Sequence, residues 1–169
     1  MRNEGEIDMT KFDFNDGNGP VPAHQHSNGG GWVADTATVA DSAYVGPDAR
    51  VSGDARVSGD AWVTGYARVT GNAWVFGDAQ VFGDAEVAGN AKVYGDALVY
   101  GNAKVYGDAE VYGDALVYGD ARVFGDAEVY GDAEVYGDLT ETTSKEELDG
   151  QVMEIAGKKY KLVEIAWFF

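Results

Sequence analysis

Cysteine is absent from this chain of 169 residues, and histidine occurs only twice. The first absence excludes a disulfide framework and leaves the redox compartment undetermined, because a fold closed by its own backbone ladders needs no covalent staple. The second leaves little for metal chemistry. A zinc site wants three or four ligands, whereas His24 and His26, with Asp13 and Asp16 upstream, offer a single His-x-His pair. Those imidazoles are expected to hydrogen-bond or pack against the structure that follows, a metal being the weaker alternative. Basic residues are scarce too, with 12 Lys and Arg against 29 Asp and Glu and a formal net charge of −17. No basic patch exists to hold nucleic acid directly. No apolar stretch approaches the ~20 residues of a membrane span. No charged-then-apolar leader opens the sequence, so cytoplasmic residence is the default expectation.

What is present in abundance is a repeat. From Val33 to Val135 a valine returns every six residues, eighteen times, with no insertion or deletion. The residue two places before it is alanine throughout, except that Gly31 stands first. Both positions must point inward, since burial alternating at spacing two means a short strand. The Gly-Asp or Gly-Asn pair between valines is a turn signal, because glycine and asparagine tolerate positive φ. A lone hexad cannot bury its apolar side, so identical units must stack, and a strict hexapeptide period is the mark of a parallel β-helix.

Val93-Tyr94-Gly95-Asp96-Ala97-Leu98 follows at every place the pattern aliphatic, any, Gly, Asp or Asn, small, any. In this the chain resembles the left-handed parallel β-helix of the hexapeptide-repeat (transferase-hexapeptide-like) family. The resemblance implies an all-β triangular prism with three hexads to a coil and left-handed crossovers, against the usual right-handed rule. Eighteen hexads make six coils, a rod roughly 29 Å long at about 4.8 Å per layer. The resemblance also implies self-association, commonly as trimers of parallel prisms. About activity it says little, because unrelated functions share the scaffold.

Three parts are expected. Residues 1–31 form a polar, glycine-rich arm in which little can pack a core. Phe12 and Phe14 alternate with polar residues as one short strand against the first coil, followed by an extended stretch through Pro20 and Pro22. Residues 32–138 are the β-helix. Residues 139–169 form a C-terminal cap, since an open β-helix end exposes unpaired backbone groups. Ser144 and Glu147 have capping-box spacing, which predicts a helical turn near 144–149. Residues 151–155 and 159–165 alternate around Ala156, Gly157 and Lys158 as a hairpin. The closing Trp167, Phe168 and Phe169 belong to the cap or, alternatively, form a docking peptide.

With no insertions, each residue lies above the one eighteen earlier. The outward position before each valine reads Trp32, Arg50, Arg68, Glu86, Lys104, Arg122 on the first face and Thr38, Arg56, Trp74, Lys92, Glu110, Glu128 on the second. Both are read as charged, solvated surfaces. The third face reads Tyr44, Trp62, Gln80, Leu98, Leu116, Glu134, beside the column Gly46, Thr64, Phe82, Tyr100, Tyr118, Tyr136. A strip of Tyr44, Trp62, Phe82, Leu98, Tyr100, Leu116, Tyr118 and Tyr136 exceeds what a monomer usually leaves exposed, so it is expected to be a homo-oligomer interface. Tyr94, Tyr106, Tyr112 and Tyr130 are read as rings that only stack along the sheet.

One corner carries Asp60, Asp78, Asp96, Asp114 and Asp132 in a column. Turn chemistry accounts for it without a ligand, since Asp accepts hydrogen bonds from nearby N–H groups. Calcium is the weaker reading, because a calcium-binding β-roll needs GGxGxD. Residues 32–138 hold 18 acidic and 6 basic side chains, about one net charge per 2.4 Å of rod, against about 1.7 Å for duplex DNA. An acidic decoy or DNA mimic acting on a nucleic-acid-handling defence protein is therefore one alternative function. Enzymes of this family, acyltransferases and zinc carbonic anhydrases, are another. The former rely on a catalytic histidine and the latter on three histidine ligands, and these coils contain no histidine. The run from Gly19 into Val39 is similar to the opening of small hexapeptide-repeat proteins of bacteriophages and prophages, implying a phage or bacterial origin and, if so, association with the virion. The expectation is a non-catalytic scaffold without a cofactor, working through its outer faces with itself or a host protein as partner, and with neither nucleic acid nor membrane bound directly.

Overall fold

The computed structural model describes residues 10–136 and the strand segments 152–155 and 158–161, and these contain strands and turns but no helix. Each hexad contributes one short strand, such as Leu98–Val99, and one corner, which from Gly53 to Gly131 is made by a glycine of positive φ. Successive strands go to successive faces, and every third strand stacks in parallel, giving a β-solenoid of six coils with three sheets. Register is eighteen residues throughout: Gln80 lies opposite Leu98, and Leu98 opposite Leu116. The ladders rest on a recurring set of bonds. Within one hexad, Asp96, Leu98 and Tyr100 donate their N–H groups to Gly113, Ala115 and Val117, each at 2.9 Å.

The core is a shaft of valine and alanine. Val45 through Val117 and Ala43 through Ala121 are essentially inaccessible, and exposure rises in the last described coil, where Val129 is 5% and Ala133 7% exposed and Ala127 and Val135 are only partly buried. Valine suits the strand because its β-branched side chain is stiff and packs well on a pleated surface. Alanine fits beside the corner, where the prism narrows.

The N-terminal arm departs from expectation. Strand β1 (Lys11–Phe12) pairs antiparallel with β2 (Val21–Gln25), and β2 pairs antiparallel with β3 (Trp32–Ala34) of the first coil. The strand nearest the coil is thus the proline-containing stretch, not the phenylalanine one. Phe14 lies outside any strand, just before Asn15 at φ 55°, and is the centre of a second small core with Ala23 and Ala34. Phe12 stacks on Trp32 at 4.4 Å and meets Phe14 edge-on at 5.0 Å. The Arg50 guanidinium lies 5.3 Å over the Phe12 ring, and Arg68 Nη2 donates to the Phe14 carbonyl at 3.1 Å. The arm therefore folds back over the outside of the first face across three coils. Two expectations fall here. The arm does pack a core, because a few aromatic residues suffice once they can lie on Trp32. The first face is not simply solvated, since Trp32, Arg50 and Arg68 are half-buried.

The arm also closes the first coil. His26 N–H donates to the Gly31 carbonyl, Gly31 N–H to Val45, and Val45 N–H to Asn28, so the loop after β2 pairs the coil's lower edge on the third face as β2 does on the first. The lower edges of the first and third faces are thereby covered at the N-terminal end. Later in the chain, Val152–Ile155 and Lys158–Lys161 form the expected antiparallel hairpin. Lys158, expected in the turn, instead pairs with Ile155 as part of the second strand. The helical turn expected at 144–149 and the segment of Trp167, Phe168 and Phe169 lie outside the described residues.

Candidate interaction surface

The third face brings the expected residues together in the expected order. Tyr44, Trp62, Gln80, Leu98, Leu116 and Glu134 stand above one another in register. Tyr44 and Trp62 stack at 4.8 Å. Alongside, Phe82, Tyr100, Tyr118 and Tyr136 form a continuous ring stack with centroids 4.9, 5.2 and 5.5 Å apart. Stacking shields these rings from one another, so only Trp62, at 51%, is largely exposed, and Leu98 and Leu116 are half-buried. From Trp62 to Leu116 the outward column carries no charge.

The stacking itself is general. Phe76, Tyr94, Tyr112 and Tyr130 form an equivalent column on the second corner at 4.7, 4.9 and 5.4 Å, and Tyr106 stacks on Phe124 at 5.2 Å on the first. Offset-stacked pairs contribute about 0.5–1.5 kcal/mol each beyond the area they bury. The rings beside the third face therefore have a stabilising role of their own, and what sets that face apart is Trp62, Leu98 and Leu116.

The second face is polar and internally paired. Lys92 Nζ lies 2.7 Å from Glu110 Oε1, and the Tyr94 hydroxyl donates to Glu110 Oε2 at 3.1 Å. The Lys92 hydrogen bond, with help from Tyr94, holds the Glu110 carboxyl below its ordinary range. Burial, followed by the Glu110 carboxylate, pushes the Tyr94 phenol up to about 12 from an ordinary 10. Tyr112 and Tyr118 are raised by the same two causes, with Glu128 and Glu134 as their carboxylates. A phenol whose folded pKa lies above its unfolded one stabilises the fold below the unfolded value, and that contribution is lost as pH rises through the folded value. Stability should therefore fall between pH 10 and about 12 as Tyr94 ionises. Glu110 works in the opposite sense, losing its contribution as pH drops below 4.5. Denaturant titrations across alkaline pH should show a shallower fall for Tyr94→Phe than for the parent; identical profiles would dismiss the effect.

Asp60, Asp78, Asp96, Asp114 and Asp132 stand in one exposed column, each following a corner glycine. The N–H groups of Asp78 and Asp96 donate to the glycine carbonyls one coil on, at 3.0 and 2.9 Å, as part of the ladder between coils. The other two corners differ in carrying amide ladders: Asn72 donates to Asn90 and Asn90 to Asp108 on one, and Asn102 to Asp120 on the other. Asparagine there separates carboxylates that would otherwise face each other across one layer. Among the described residues no group of three metal-ligating side chains assembles. His26 is buried, with Nε2 3.0 Å from the Ala43 carbonyl, while His24 Nδ1 lies 2.9 Å from Asp35 Oδ1 on the surface. The two imidazoles serve the packing of the arm.

Sequence reasoning missed two places. Tyr66 is 65% exposed at a corner where the repeat calls for Asp or Asn, and it adjoins Trp62 along the chain. The break in the Gly-Asp pattern was the available signal. On the second face Arg56 lies 4.9 Å over the Trp74 ring, which meets Phe76 edge-on at 6.2 Å. That cluster lines a groove of about 190 Å³ with Ser58.

Comparison with known families gives a match to the YdcK β-solenoid repeat over residues 49–65 and 91–107. The two matched segments each span about one coil but begin on different faces, at Ala49 before Arg50 and at Ala91 before Lys92. The similarity thus follows the hexad and not the coil. No curated protein and no solved structure matches the chain. The two matched segments are thus similar to the β-solenoid repeat of YdcK, in keeping with the β-solenoid that the coils form.

Proposed function

We propose that this chain is a non-catalytic scaffold that associates with copies of itself through the third face, as a trimer of parallel prisms. The supporting observation is the contrast among the three faces. The arm lies over the lower half of the first face, and Lys104 pairs with Glu86 at 3.1 Å above it. The second carries the Lys92–Glu110 pair. The third alone has an uncharged outward column over four layers, with exposed Trp62 and Tyr66 at its lower end. A contiguous apolar strip of this kind marks an association surface. The absence of histidine from the coils supports the non-catalytic reading. Within β-solenoids the chain then stands with the hexapeptide-repeat proteins, and among those with the small phage-encoded ones.

Leu98→Glu combined with Leu116→Glu places two carboxylates at the centre of the strip and should reduce the mass measured by light scattering to that of one chain. An unchanged mass would sink the proposal. A second reading is favoured by the exposed aspartate column, which no asparagine interrupts. In that reading the rod is an acidic decoy for a nucleic-acid-handling protein. Its binding to such a partner should weaken steeply with salt, whereas assembly through an apolar face should not.

A further inference from the structure

We propose that a notch on the first face binds a planar aromatic ring carrying an anionic group. The ring columns of the second and third corners begin at Phe76 and Phe82, in the third coil. On the first corner the column begins two coils later, at Tyr106, because the position beneath it is Ala88. Register leaves no doubt about that placement, since Ala88 N–H donates to the Val105 carbonyl at 2.8 Å. Tyr106 therefore has Phe124 on one side and only a methyl group on the other, and it remains 36% exposed.

The missing ring leaves a groove of about 410 Å³ lined by Glu86, Ala88, Lys104, Val105, Tyr106 and Arg122. That volume lies within the range of about 300–1,000 Å³ typical of small-molecule sites. A ligand ring seated over Ala88 would continue the column at the spacing of 4.7–5.5 Å found along the other corners. Charge selects the substituent. Lys104 and Arg122 line this groove together with Glu86. A carboxylate or phosphate on the ring reaches Lys104 by competing with Glu86, whose Oε2 lies 3.1 Å from Lys104 Nζ. On the second face the smaller groove beside Ser58 is lined by a planar cation of the chain's own, Arg56 over Trp74.

The test uses the full chain with 2-naphthoate and adenosine monophosphate as probes, followed by ligand-observed NMR or fluorescence. Saturable binding of either, millimolar or tighter, is expected. Naphthoate alone indicates a simple aromatic acid, and the nucleotide alone a nucleobase site. Ala88→Tyr completes the column from within and should weaken binding at least about tenfold while the melting temperature holds or rises. Ala88→Ser keeps the notch and should bind as the parent does. Lys104→Gln should weaken 2-naphthoate but not neutral 2-naphthalenemethanol. The proposal is overturned if neither probe saturates, if Ala88→Tyr binds like the parent, or if cyclohexanecarboxylate, which cannot stack, binds as well as naphthoate.

Discussion

Gly95→Ala should cost about 3 kcal/mol of stability, far more than an ordinary surface substitution. Two causes add. Gly95 sits at φ 72°, where an L-residue pays roughly 1–2 kcal/mol. Its added Cβ would also lie 3.0 Å from the Gly113 nitrogen and 3.2 Å from the Gly113 oxygen, backbone atoms of the next coil that cannot swing aside. Relieving that contact lengthens the bond from Asp96 N–H to the Gly113 carbonyl. The two causes separate in a series. Gly131 has φ 62° with nothing among the described residues within 4 Å of a Cβ, so alanine there should cost only the conformational part. Gly46 has no positive φ and meets Thr64 at an ordinary 3.4 Å, so alanine there should be near neutral. Denaturant unfolding of the three variants gives the ranking, and equal costs at Gly95 and Gly131 would show that coil-to-coil approach contributes nothing.

Phe14→Ala should detach the N-terminal arm while the coils stay folded. Phe14 is 1% exposed, and truncating a buried phenylalanine costs about 3–5 kcal/mol. An isolated two-stranded hairpin holds less than that in water. Hydrogen exchange reports the change directly. The amides of Ala23 and His26, bonded to Thr10 and Gly31, should lose protection, and that of Leu98, bonded to Ala115, should keep it. Release also bares the lower edge of the first coil, including Val45 N–H, now bonded to Asn28. End-to-end association at raised concentration is the expected consequence. Retained protection at Ala23 would mean that the arm is held by its backbone pairing and not by Phe14.

The coils were legible because their neighbours are written into a period. A valine every six residues puts residue 80 beneath 98 and 98 beneath 116 as soon as three hexads close a coil, and the observed register follows. The third-face column and the aspartate column came out residue for residue on the same ground. The arm was harder, since it has no period. FDFNDGNGPVPAHQ reads as polar, and nothing local to Phe14 tells that it will lie between Ala23 and Ala34. His26 shows the same limit: its residue type suggested packing or hydrogen bonding, while its partner, the Ala43 carbonyl, is set by a loop that returns to the first coil. Tyr66 and Ala88 were visible as breaks in the repeat, yet their meaning depends on the rings and charges around them.

By itself, then, the sequence determined the β-solenoid, its six coils, its eighteen-residue register and the composition of every column, because stacking identical short strands without insertions leaves no other pairing that buries valine and alanine. Only the tertiary structure decided which surfaces are covered. The arm folds back over the first face because Phe12 finds Trp32 and Arg68 finds the Phe14 carbonyl, contacts between residues 20 and 54 positions apart that no period encodes. What the described residues leave uncovered, the apolar third face and the notch at Ala88, is the complement of that packing.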